Sequence, residues 1–181
     1  MQTTISGLIL IPFFLLTVFY IIKYKVKTKL TTFQKITVIS CIVYSFAVIY
    51  LTFFPFQIQL GEFANQTPWK SRINFDPVLD LSALPNLVML SPLAVYYYLM
   101  KKETSLLKVI GLGFAVSFGI ELVQFLTNYF LGGWRGADVA DLVVNTLGVM
   151  LGYLVVKTFF KNLKPDSPFH QFKLYNDTLA R

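Results

Sequence analysis

The sequence predicts an all-α integral membrane protein with five transmembrane helices, an external N-terminus and a cytoplasmic C-terminus. Three observations carry that expectation. The 181-residue chain is 55% hydrophobic and only 14% charged, where soluble domains carry roughly a quarter charged residues. Its mean hydropathy is +0.61. Its apolar residues also fall into five runs, covering residues 5–22, 36–54, 84–100, 106–129 and 142–160. Runs of that size are what a bilayer requires, because the hydrocarbon core is about 30 Å thick and each helical residue rises about 1.5 Å. The spacing predicts one membrane domain over residues 1–164, with an outer loop at 55–83 and a cytoplasmic tail at 165–181.

The first run has no basic segment before it and no small-residue cleavage site, and Lys23, Lys25, Lys27 and Lys29 follow it. It reads as a retained anchor and not as a secretory signal. The second run starts after Lys35 and ends at Phe53, Phe54 and Phe56 around Pro55, an aromatic belt expected at the outer interface. The third is short. Ser82 is placed to cap it, Pro85 falls in its first turn, and Pro92 is expected to kink it. Tyr96, Tyr97 and Tyr98 precede Lys101 at the expected inner interface, where such rings serve chiefly as anchors.

Charge orients the spans. Of the 16 Lys and Arg residues, 13 fall on the side of the turns following the first and third runs and of the C-terminal end, and 3 on the other side. By the positive-inside rule the richer side is cytoplasmic. The long connection at 55–83 is then external. It carries Pro55, Pro68 and Pro77 with Phe63, Trp69, Phe75 and Val78, too apolar for comfortable disorder, and it is expected to fold back over the helix ends. The formal charge of +7 does not indicate nucleic acid, because the basic residues alternate with apolar runs and form no continuous face beside stacking aromatics. Cys41 is the only cysteine and His170, in the tail, the only histidine. Disulfide chemistry, zinc ligation and histidine-dependent catalysis within the membrane are therefore not expected.

The polar residues inside the runs carry the functional signal, since an ionisable group in a span costs roughly 2.5 to 3.5 kcal/mol and tends to face the bundle interior. Glu121 lies eight residues before Tyr129, about 12 Å below the outer end of its helix. Gln124 and Asn128 follow it at i+3 and i+7, on the same helical face. Asp138, Asp141 and Asn145 repeat that spacing at the start of the last run. Gly148 and Gly152 continue the stripe as a small-residue pair that lets another helix approach closely. Asn86 sits at the same outer depth on the third run. Arg135, in the loop Leu131-Gly-Gly-Trp-Arg-Gly136, has Glu121, Asp138 and Asp141 as candidate partners, because a guanidinium can hold two carboxylate oxygens at once. Two readings stay open: a cluster that only ties the hairpin together, and one that also touches a ligand.

These residues resemble the VanZ-like family of small multispanning membrane proteins. The matching features are Tyr50-Leu-Thr-Phe-Phe-Pro55-Phe, an Asn74-Phe-Asp-Pro77 element, Pro85-Asn86-Leu with Ser91-Pro92-Leu, Ile120-Glu121-Leu-Val-Gln124, and Arg135-Gly-Ala-Asp138-Val-Ala-Asp141-Leu-Val-Val-Asn145-Thr-Leu-Gly148 with Gly152-Tyr153. They run from about Tyr50 to Tyr153, and the last two are the most specific. The resemblance implies a Gram-positive cell-membrane protein associated with reduced susceptibility to teicoplanin and related lipoglycopeptides. It brings Asn74 and Pro77 into the candidate site.

The leading reading is a non-catalytic protein whose outward-facing polar cleft binds a membrane lipid, a lipid-linked cell-wall precursor or a lipoglycopeptide, with no cofactor and no metal. The alternative is an enzyme acting on a phospholipid or polyprenyl-linked precursor, with Glu121, Asp138 and Asp141 as acid, base or Mg²⁺ ligands. A transporter is less expected, because the chain has no paired repeat. The sequence is silent on oligomeric state.

Overall fold

A computed structural model describes residues 1–21, 23, 30–63, 68–76 and 83–175. Its helices are α1 (Leu10–Tyr20), α2 (Thr32–Phe53), α3 (Leu84–Met100), α4 (Leu106–Leu131) and α5 (Val139–Asn162). Among the described residues α2, α4 and α5 are long and apolar enough to cross a membrane, and two shorter apolar helical stretches cover Gly7–Tyr20 and Leu84–Met100. Ile11, Phe13, Leu15, Leu16, Phe19, Phe114, Phe118 and Val155 lie exposed on the helix surfaces. So much open apolar area is what a bilayer, and not water, covers. Lys25, Lys27, Lys29, Pro77, Val78 and Ser82 lie outside the described residues.

Helix α1 starts later than its apolar run. Strand β1 (Gln2–Ile5) takes the first residues and pairs antiparallel with β2 (Phe56–Gln59), Gln2 facing Gln59 and Ile5 facing Phe56. The Met1 amino group donates to the Leu60 carbonyl and Leu60 N–H donates back to the Met1 carbonyl, each at 2.8 Å. A strand paired with a segment more than fifty residues away leaves no local period to read. Helix α2, by contrast, starts before its apolar run. Thr31 accepts from Gln34 N–H while the Gln34 side chain accepts from Thr31 N–H, a capping box that satisfies two otherwise orphaned donors.

Helix α3 continues through Pro92. Proline removes the N–H that would bond the Val88 carbonyl, and the Ser91 hydroxyl donates to that carbonyl instead, at 2.9 Å. The core lies where α3 and α5 meet: Leu90 and Ala94 pack with Val149 and Tyr153, joined by Val109 and Ile120 of α4. A Cβ built on Gly148 would strike the Leu87 carbonyl, and one on Gly152 the Ser91 carbonyl. The two helices therefore touch backbone to backbone along this seam.

The residues expected as a tail pack on the bundle as far as Tyr175. Pro168–Phe172 forms a 3-10 turn. The Phe172 and Lys173 carbonyls accept from Thr37 and Gln34 of α2, both at 2.9 Å, and Leu174 N–H donates to the Leu99 carbonyl of α3 at 2.8 Å. The Lys173 ammonium lies 4.6 Å from the Phe160 ring centroid, and His170 Nε2 is 3.2 Å from the Lys164 carbonyl. The apolar and cationic side chains of this stretch account for its docking: Phe172 stacks edge-on against Phe33 and Phe169 against Phe159. This strap closes the end of the bundle opposite β1 and β2.

Candidate functional site

The site forms at the β1–β2 end, from α4 upward. Ser117, Glu121, Gln124 and Asn128 are all buried on one face of α4, spaced so that each lies one turn above the last. Each meets a different element. Ser117 Oγ accepts from Asn145 Nδ2 of α5 at 3.1 Å. Glu121 Oε2 accepts from Asp138 N–H at 2.8 Å. Gln124 donates to the Thr52 carbonyl at 3.3 Å. Asn128 Oδ1 accepts from Arg72 at 3.0 Å, and its amide nitrogen donates to the Gly133 carbonyl.

Asp138 is the N-cap of α5. Its Oδ1 accepts from Ala140 N–H at 2.7 Å, where a carboxylate offsets the positive end of the helix. Its Oδ2 accepts from Asn74 Nδ2 at 2.9 Å. The pairing of β3 (Ile73–Asn74) with β4 (Ala137–Asp138) sets that contact, with Asn74 in parallel register beside Asp138. Asn74 Oδ1 also accepts from Asp76 N–H at 3.1 Å, an Asx turn that fixes the amide. Asp141 stands in the first turn of α5 with Asn86 of α3 beside its carboxylate. Gly132, at φ 66°, ends α4 in the left-handed conformation and lies against Gln59. A side chain there would meet both backbone strain and the Gln59 backbone.

Arg135 departs from its expected partners. Among the described residues no ion pair joins it to Glu121, Asp138 or Asp141. Its Nη1 donates to the Thr52 carbonyl at 3.1 Å, and its guanidinium lies 5.3 Å from the Trp134 ring centroid. Thr52 is in the last turn of α2, where carbonyls lack intrahelical donors and the helix end favours a cation. Gln124 and Arg135 share that carbonyl.

Three contributors escape sequence reading. Arg72 is 6% exposed, donates to both the backbone carbonyl and Oδ1 of Asn128, and lies 5.3 Å from the Tyr129 ring centroid. In the sequence it is an ordinary loop charge. Thr52 acts through its backbone, which no side-chain pattern marks. Ser117 was findable, since it extends the α4 stripe by one further turn inward from Glu121.

Ser117 and Asn145 are both fully buried, and Asn145 Oδ1 has no hydrogen-bond partner among the described residues. Ser117→Ala strands the Asn145 amide and is expected to lower stability by about 1 kcal/mol. Adding Asn145→Leu removes the stranded group and should restore most of the loss. Thermal unfolding of the purified variants checks this, and a double variant less stable than the single one would count against it.

Two recesses meet at Asp138. A polar basin of about 290 Å³ is lined by Ser71, Arg72, Asn74, Asn128, Trp134 and Asp138 among others. An apolar groove of about 360 Å³ runs between α4 and α5, with Trp69, Phe118, Leu122, Phe125 and Leu142 as walls and Glu121 and Asp138 as its ionisable residues. Ala137 and Asp138 line both recesses. Among the described residues, no three His, Cys, Asp or Glu side chains group together to hold a metal ion.

The fold and the site define a helical membrane protein whose polar side chains gather at one end of the bundle and open both to a polar basin and to an apolar groove. The chain belongs to the VanZ/LLP1 family, whose model matches residues 13–161, from α1 to the end of α5. No curated protein and no solved structure matches the chain.

Proposed function

We propose that this VanZ-like protein crosses the cell membrane five times, with its N-terminus outside and its C-terminus in the cytoplasm. In this reading it lowers susceptibility to teicoplanin and related lipoglycopeptides. Its outward-facing cleft binds a lipid-linked envelope component or the drug itself. The observation that carries the reading is the junction at Asp138: a polar basin and an apolar groove sharing one wall suit a molecule with a polar head and an acyl or polyprenyl chain. The basic excess in the sequence, 13 of 16 cations in the turns after the first and third runs and toward the C-terminus, supports the orientation.

The enzymatic alternative has less support. Glu121 Oε2 and both Asp138 oxygens accept hydrogen bonds that set the start of α5 and hold Asn74 beside it, so those three oxygens are committed to positioning. Expression in a susceptible Gram-positive host, with teicoplanin susceptibility as the readout, tests the proposal. Wild type is expected to raise the inhibitory concentration, and Glu121→Ala and Arg135→Ala, checked for membrane abundance, to reduce that rise. No shift with wild type, or an undiminished shift in both variants, would refute it.

A further inference from the structure

The groove between α4 and α5 contains a carboxylate that the site does not use up. Glu121 is 6% exposed, lines the groove, and spends one oxygen on Asp138 N–H. Its other oxygen, Oε1, has no hydrogen-bond partner among the described residues. Among the described residues no lysine or arginine lines the groove, and the other ionisable side chain in its wall is Asp138. Of the two cations near the cluster among the described residues, Arg135 is turned to the end of α2 and Arg72 to Asn128, and neither lines this groove. Trp69, Phe118 and Phe125 stand around the same space. Trp69, Phe118 and Leu122 are exposed, which leaves the groove open on its outer side.

We infer that this groove binds an amphiphile bearing an ammonium group. The ammonium meets Glu121 Oε1 and the aromatic walls, and the chain lies along Leu122, Val139 and Leu142. The charge complementarity is direct: an anionic head would face two carboxylates without a paired cation, and a neutral alcohol could satisfy Oε1 but would gain nothing from the ring faces. A cation gains from both, because aromatic rings attract a desolvated ammonium through their quadrupoles. The chain runs toward lipid because the groove is apolar everywhere except at Glu121 and Asp138. This inference rests on the proposed ligand-binding cleft and specifies its chemistry.

The test uses the full chain in nanodiscs with Trp134→Phe, which leaves Trp69 as the only tryptophan, since the chain has two. Decylammonium, decanol and decyl phosphate are titrated while Trp69 emission is followed. Decylammonium is expected to bind at least about tenfold more tightly than decanol, a difference of about 1.4 kcal/mol, and decyl phosphate to bind more weakly than either. Glu121→Gln is expected to abolish the preference for ammonium over alcohol, and Leu142→Trp, followed by competition with a fluorescent alkylammonium, to block the groove to all three. Equal binding of ammonium and alcohol by the Trp134→Phe parent, or an unchanged preference in Glu121→Gln, overturns the inference. If Glu121→Gln does not fold, the parent series and the blocked groove still decide it. Ammonium preference without a susceptibility shift defeats only the resistance reading. A susceptibility shift without ammonium preference defeats only this one.

Discussion

Replacing Gly148 with leucine should be the most damaging single change in the chain, costing about 3 kcal/mol or more through forced separation of packed elements. Even a methyl group at this position would strike the Leu87 carbonyl, and Gly152 stands in the same relation to the Ser91 carbonyl one turn further on. Backbone cannot rotate out of the way as a flexible side chain can, so the strain passes into the α3–α5 seam and its core residues Leu90, Ala94, Val149 and Tyr153. Gly119 provides the control. A Cβ there meets nothing within 4 Å, so Gly119→Ala is expected to be neutral or stabilising by up to about 1 kcal/mol through helix propensity. Thermal unfolding of the three purified proteins makes the comparison, and a Gly148→Leu protein melting with wild type would mean that the seam is not close-packed.

The second large effect is expected at Arg72. Arg72→Ala removes a buried guanidinium from the carbonyl and side chain of Asn128 and from the Tyr129 ring. The predicted loss is about 2 to 3 kcal/mol, because a hydrogen bond to a charged donor disappears and Asn128 Oδ1 is left without it in a buried place. Arg72→Lys should recover only part, since an ammonium does not reproduce the planar fork. Arg135→Ala is expected to cost about 1 kcal/mol or less: Arg135 is partly exposed, and Gln124 still serves the Thr52 carbonyl. Unfolding temperatures, together with protease cleavage within residues 55–83, separate the two arginines. Equal sensitivity at both positions would contradict the larger stabilising role given to the buried Arg72.

What the sequence made legible follows from the cost of polarity in hydrocarbon. Glu121, Gln124 and Asn128 are conspicuous because their neighbours are apolar, and their spacing alone places them on one face. Asp138, Asp141, Asn145 and the glycine pair are readable for the same reason. Arg72 is not readable, because a cation in a polar stretch is unremarkable until the fold buries it. The partner of Arg135 is misread for a different reason. Counting charges favours the carboxylates, but one oxygen of Glu121 and one of Asp138 already accept N–H groups at the start of α5 and Asp141 has Asn86 beside it, while the end of α2 has a carbonyl in need of donors. Side-chain arithmetic does not register backbone demand. Strands β1 and β2 are hidden because each is four residues long and its partner is remote in the chain.

The glycine seam also has a mechanical meaning. Helix α5 is clamped to α3 by carbonyl contacts too tight to slide, so those two helices act as a post. On the other side of the groove, Arg72 fastens the segment around Trp69 to α4, making a single leaf. The latch between leaf and post includes the Glu121 bond to Asp138 N–H and the Asn74 bond to the Asp138 side chain, each worth about 1 kcal/mol net. Parting α4 from that post therefore costs this latch, the Ser117–Asn145 bond and the close packing of Gly113 against Val149 together.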